Sequence, residues 1–274
     1  TIPDIPLVVL TADAPINDAP KPGVPDIGSA TQAAHHAAQD QLAAIVPDAI
    51  HVTETHSGHN MMLDNPAVVS AAIDDVVEAV RAGRSTSDAT GVPSPVASEL
   101  NGIVDIGGGR KVFVECTGTG SPTVLLMAGR GNGAVDWTQS IDDGDPVLTA
   151  PGDDVAAGMG RYATSETAVL PQVGRFTRVC AYDRPDVRFD GQGATQRPQP
   201  HTADLDVQDL QALTSAIGES GPFVLVAHSY SGLVASLFAR TYPDEVDGLA
   251  LVDAVAPERA DVATDRASRA SDRD

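Results

Sequence analysis

The sequence predicts an α/β fold, a mostly parallel sheet covered by helices on both faces. Three observations carry this expectation. Short apolar runs recur along the chain, and stretches with helical spacing separate them. In the stretch Gly221 to Gly232 one such run leads straight into Ser229, and the apolar positions Leu233, Val234, Leu237 and Phe238 follow. Strands that alternate with helical phrases imply parallel pairing, because each crossover must carry the chain back to the starting edge of the sheet.

Taken in order, residues 2–13 contain the continuous apolar run Leu7-Val8-Val9-Leu10 and read as a buried strand. Residues 30–46 form an alanine-rich helical stretch. Residues 49–60 read as a short strand that ends in a loop containing Ser57-Gly58-His59. A helix follows from Pro66 to Arg81, with Val68, Val69, Ala72, Ile73, Val76, Val77 and Val80 at helical spacing. Pro66 suits its start, where a missing N–H leaves no helical bond unmade. Residues 82–102 are polar, rich in Ser and Pro, and lack an apolar period, as expected of a linker. At about 3.3 Å per residue, roughly twenty residues could span on the order of 65 Å, more than a domain diameter.

The second half repeats the pattern. Gly120 to Gly133 is an apolar strand that ends in a glycine-rich loop, and Phe176 to Pro185 is another strand that closes on Asp183-Arg184-Pro185. A helix is expected over Leu205–Ile217, and a further strand from Tyr242 to Asp253. Around Ser229 the neighbours Ala227 and Ser231 are small, as a tight strand-to-helix turn requires if it is to hold the serine in a strained conformation. The last segment, 258–274, is charged and aperiodic and reads as a flexible tail.

These phrases and their spacing resemble the α/β-hydrolase family. Residues 103–257 look like its first six strands, with Ser229 at the nucleophile elbow, whereas residues 1–81 look like its strands seven and eight and closing helix. Ser57-Gly58-His59 is similar to the family's histidine loop. The resemblance therefore implies an α/β-hydrolase-type sheet with its segment order permuted, residues 1–257 forming one folded domain, and no cap between strands six and seven. A slice of a tandem array is the competing origin. A homodimer formed by swapping segments is the competing assembly.

The family's chemistry implies Ser229 as nucleophile and His59 as general base. Asp253, at the end of strand six, is preferred as the acid over Asp13, with Asp18 third. The N–H groups of Tyr230 and Arg130 are the expected oxyanion donors. The sequence departs from the family pattern at Ala128, Asp186 and both elbow glycines. A serine esterase working through an acyl-enzyme on small-molecule esters is the leading reading. The alternatives are an acyltransferase with the same triad and an inactive rearranged fragment. An uncapped site would be wet and broad, suited to short, soluble esters.

No cofactor is expected, and no metal either, since His56 and His59 lack further ligands at metal spacing. His35 and His36 are read as solvated, His228 as a packing residue, and Trp137 as lining either the acyl pocket or the core. His201 is read as an improbable substitute base. The resemblance places Cys116 and Cys180 on strands two and four of the sheet, which are neighbours in that fold; free buried thiols are expected, with a disulfide the alternative. A formal charge of −21 over 274 residues disfavours nucleic acid as a partner. No apolar run is long enough to span a bilayer, and no leader pattern stands at the amino end. The compartment is left open between cytoplasmic and secreted.

Overall fold

The structure, a computed structural model, describes residues 2–14, 28–83, 99–141, 162–185, 187, 195 and 200–255. The proposed tail, most of the linker, Asp18 and Asp186 lie outside the described residues.

Ten strands are described: β1 (Leu7–Leu10), β2 (Ile50–Val52), β3 (Leu100–Gly107), β4 (Arg110–Thr117), β5 (Thr123–Met127), β6 (Gln139–Ile141), β7 (Tyr162–Thr164), β8 (Val179–Tyr182), β9 (Phe223–His228) and β10 (Val246–Val252). The α-helices among the described residues are α1 (Gly28–Ala43), α2 (Met61–Asp64), α3 (Pro66–Gly83), α4 (Val169–Val173), α5 (Ala203–Ile217) and α6 (Ser231–Thr241). Eight strands form one sheet in the order β2-β1-β10-β9-β5-β8-β4-β3, and β6 pairs with β7 in a separate two-stranded sheet. Within the large sheet only β4 runs against its neighbours β3 and β8. The remaining pairs are parallel. A mostly parallel α/β sheet is what the strand phrases predict.

Alternation along each strand divides the core in two. Leu7, Val9, Leu125, Met127, Leu225 and Leu251 point to one face, where α1, α5 and α6 supply Leu42, Leu210 and Phe238 among others. Val8, Leu10, Val124, Leu126, Val226 and Val252 point to the other, against Met61 of α2, Ile73 and Val77 of α3, and Leu170 of α4. Because both faces are covered, the central strands are apolar at consecutive positions, and so they read as runs rather than as alternating patterns. Trp137 is fully buried in the second of these cores, so it is a packing residue and not a pocket lining.

Strand β1 lies directly beside β10, with Leu7 opposite Leu249 and Leu10 opposite Val252, and β2 extends the same edge. The amino-terminal strands thus complete the sheet next to the strand that ends at Asp253.

The expectation of free thiols is corrected. Cys116 and Cys180 are disulfide-bonded across the antiparallel pair β4 and β8, where they stand directly opposite each other. Their register depends on a pairing between distant segments, which composition does not reveal. The bond closes a loop with a sequence separation of 64 residues. Replacing both cysteines with alanine is expected to lower unfolding stability by about 2–4 kcal/mol, measurable in urea; unchanged stability would show that the bond constrains little.

Candidate active site

The site is assembled where strands β1, β9 and β10 end together. Ser229 follows β9 with φ 52°, a conformation uncommon for a residue with a Cβ. The turn is held by neighbours on both sides, since Ser229 N–H donates to Val252 O at 3.1 Å and Val255 N–H donates to Ser229 O at 2.9 Å. Helix α6 begins two residues later, and Gly232 in its first turn lets the chain after β10 pass closely. A Cβ there would stand 2.6 Å from the Ala254 Cβ. The small residues that replace the elbow glycines have roles of their own. Ser231 Oγ donates to Ala128 O at 2.6 Å and accepts from the Arg184 guanidinium at 2.7 Å.

Arg184, buried after β8, also donates to the carbonyls of Ala128 and Gly129. Its neighbour Asp183 accepts the Ala134 N–H at 2.7 Å. The Asp-Arg phrase therefore clamps both ends of the glycine-rich loop after β5. That loop reaches the serine at Gly129, where a Cβ would lie 2.7 Å from His228 Nδ1 and 3.1 Å from the Ser229 Cβ. Only glycine fits so close an approach. Arg130 comes next in this loop, and Tyr230, the N-cap of α6, already has helical dihedrals. Both sequence-predicted donors thus belong to the segments that flank Ser229.

His59 arrives from the loop between β2 and α2. Its Nε2 lies 3.0 Å from Ser229 Oγ, and its Nδ1 lies 2.6 Å from Asp253 Oδ2. The carboxylate can only accept, so Nδ1 carries the ring proton and Nε2 is free to accept from the serine. Three residues that are 170 and 194 positions apart along the chain form one hydrogen-bonded line. The His59 side chain is 52% exposed, whereas that of Asp253 is 3% exposed. Burial by itself raises the Asp253 carboxyl, but hydrogen bonds from His59, the Ala12 amide and His35 outweigh it and hold the group below the usual aspartate value.

Asp13 takes a different place. Its carboxylate accepts the N–H groups of His56 at 3.0 Å and Ser57 at 2.9 Å, and the Thr55 hydroxyl at 3.2 Å. Despite a desolvation effect in the opposite direction, these donors keep its carboxyl below the ordinary value. Asp13 therefore staples the loop that carries His59 instead of contacting the imidazole. Asp64 holds the same loop through Gly58 and Ser57 and accepts from Tyr162 Oη at 3.1 Å. Burial raises its carboxyl, against hydrogen bonds from Tyr162, Gly58 and Ser57.

His228 is buried, and its Nε2–H donates to the His59 carbonyl at 2.9 Å, so it supports the loop as well as packing. Desolvation lowers its pKa to about 4, assisted by the neighbouring His59. A base whose folded-state pKa is depressed must take up a proton on unfolding, so stability is full above the unfolded value of about 6.5 and falls as pH drops toward 4. His228→Gln, which keeps a donor for the His59 carbonyl, is expected to remove up to about 3 kcal/mol of that acid-side loss. Urea unfolding of both proteins between pH 4 and 7 checks this, and parallel curves would contradict it.

Sequence reasoning missed His35. The expectation that it is solvated is corrected, because its Nε2 lies 2.7 Å from Asp253 Oδ1. No local pattern signals this contact, which depends on how α1 packs beside β10. A concavity of about 460 Å³ lies elsewhere, bounded by Leu100, Cys116, Thr138 and Leu170, and does not include Ser229. Among the described residues no cluster of three or more His, Cys, Asp or Glu side chains is arranged to hold a metal. None of the described helices is long and apolar enough to cross a membrane.

An eight-stranded, mostly parallel sheet with a strained serine at a strand-to-helix turn defines a class that comparison with known proteins makes specific. The model of the alpha/beta hydrolase family matches residues 124–273, and this chain belongs to that family. A protein of Schizosaccharomyces pombe is 32% identical over 155 residues, which are 53% of this chain and 26% of the relative. Lipase LipV of Mycobacterium tuberculosis is 41% identical over 63 residues, 23% of this chain and 24% of the lipase. The chain thus spans about a quarter of the length of these relatives. Among solved structures, a thermophilic esterase from Thermogutta terrifontis superposes with a TM-score of 0.38 at 24% identity, covering 65% of this chain and 53% of the esterase. The haloalkane dehalogenase DatA from Agrobacterium tumefaciens C58 gives a TM-score of 0.40 at 17% identity, covering 62% of this chain and 48% of the dehalogenase.

Proposed function

We propose that this chain is a serine hydrolase that cleaves carboxylic esters through an acyl-enzyme, with Ser229 as nucleophile, His59 as general base and acid, and Asp253 as the triad acid. The observation that most supports this reading is the hydrogen-bonded line from Asp253 through His59 to Ser229. As Oγ attacks the ester carbonyl carbon, its proton moves to His59 Nε2 and the carbonyl oxygen becomes an oxyanion. The buried carboxylate of Asp253 stabilises the imidazolium that results. The N–H groups of Tyr230 and Arg130 face the growing oxyanion charge, where fixed dipoles are most effective. Collapse breaks the bond to the alcohol oxygen, which takes the proton from His59. Water then repeats the sequence and frees the acid. The exposure of His59 favours short, soluble esters.

The same reading includes a permuted order. Residues 1–81 act as the family's strands seven and eight and closing helix, 82–102 as a linker, and 103–257 as strands one to six, together making one domain. The placement of β1 next to β10, with β2 outside it, supports this. Asp13 is then an anchor of the histidine loop. A fluorophosphonate probe tests the proposal: it should label the intact chain at Ser229, and a chain that remains unlabelled while folded would refute it.

A further inference from the structure

The carboxylate of Asp253 serves two histidines, and the mechanism above uses only one. His59 Nδ1 meets Oδ2, while His35 Nε2 meets Oδ1, which also accepts the Ala12 N–H at 3.0 Å. His35 is 29% exposed on α1, and on the same helix, about one turn later, Gln39 donates to Ala254 O at 2.7 Å. Helix α1 therefore grips the turn after β10 at two points, one of them the functional carboxylate. Asp253 itself sits at φ 43°, so its orientation depends on such external contacts.

We propose that His35 is a positioning residue of the active site, whose Nε2–H fixes the plane of the Asp253 carboxylate and takes up part of its charge. This deepens the triad reading and rests on it. A carboxylate bonded by donors at both oxygens offers less negative charge to each, so removing His35 and leaving only the Ala12 N–H on Oδ1 leaves more for the cationic form of His59 and loosens the hold on the carboxylate plane. Among the described residues the ionisable groups around this line are few. On α1, His36 lies 6.2 Å from His35 between ring centroids, and Asp40 pairs with His51 of β2 at 3.4 Å. Beside His59 stands the His228 ring, 4.7 Å between centroids, while Asp13 is turned toward the loop amides. Among these, His35 and His59 hydrogen-bond to Asp253.

The test does not need turnover. In the Ser229→Ala protein, the carbon-bound ring proton of His59 is followed across pH by NMR. His35→Leu is expected to move the midpoint of that signal upward by roughly 0.5 in pH, and His35→Gln, whose amide nitrogen takes the place of Nε2, is expected to return it. An unmoved midpoint with leucine, or one that glutamine does not restore, overturns the proposal. Nitrogen spectra of the unmodified chain near neutral pH give a second reading. A neutral His35 with its proton on Nδ1 instead of Nε2 also overturns the proposal. With Ser229 in place, kcat of His35→Leu should fall about tenfold at constant KM, and His35→Gln should stay within about twofold. A shifted midpoint without any ester turnover would sink the hydrolase reading and leave His35's role intact. Turnover without a shift would do the reverse.

Discussion

Ser229→Ala is expected to lower hydrolysis of a short activated ester by at least about four orders of magnitude and to abolish fluorophosphonate labelling. The substitution removes the one hydroxyl that His59 Nε2 meets at 3.0 Å and leaves the rest of the line intact. Alanine keeps a Cβ at the same positive φ, so the backbone strain of the turn is retained and stability should change by less than about 1 kcal/mol. Steady-state rates, probe labelling and urea unfolding on the same preparation decide the matter. If turnover survives in the alanine variant, another nucleophile is at work.

The second large effect separates the two aspartates. Asp253→Asn is expected to reduce kcat by about three to four orders of magnitude, because an amide in place of the carboxylate no longer favours the proton on His59 Nδ1 and does not balance the imidazolium charge. It also faces three donors, from His59, His35 and Ala12, with only one accepting oxygen. Asp13→Asn touches no atom of His59's ring. There kcat should stay within about tenfold while stability falls by about 2 kcal/mol, since charge-assisted bonds to the amides of His56 and Ser57 are weakened. The Asp13 contribution should be present above the ordinary carboxylate range and fade as pH falls through its lowered folded-state value. Full activity of Asp253→Asn would remove Asp253 from the triad; a collapse of kcat in Asp13→Asn would point to that residue instead.

What the sequence made legible was whatever is encoded locally. The apolar run into Ser229 and the helix face behind it lie within one short window, and the helix at Pro66–Gly83 declares itself through seven spaced apolar residues. The placement of Ser57-Gly58-His59 could be anticipated only through its resemblance to the family's histidine loop, since the strand before it is just three residues long. Contacts set by packing angles were not legible. Whether His59 meets Asp253 or Asp13 depends on the loop between β2 and α2, and the sequence ranks these acids only weakly. The His35 contact and the cysteine pair belong to the same kind: each joins segments far apart in the chain, and neither leaves a periodic trace. Trp137 could be read either way because a large aromatic ring suits a pocket and a core equally.

The pairing of Leu7 with Leu249 has a consequence for how the protein is made. During translation at about 5–20 residues per second, the strand at Leu7–Leu10 would wait roughly ten to fifty seconds for β10 to be synthesised. Until then an apolar segment destined for the interior has only β2 to pair with and lacks its partner on the other side, open to chaperones and to other nascent chains. Contacts this distant also slow spontaneous refolding. Yield in a cell should therefore depend on chaperone supply and growth temperature more than the stability of the finished fold would suggest.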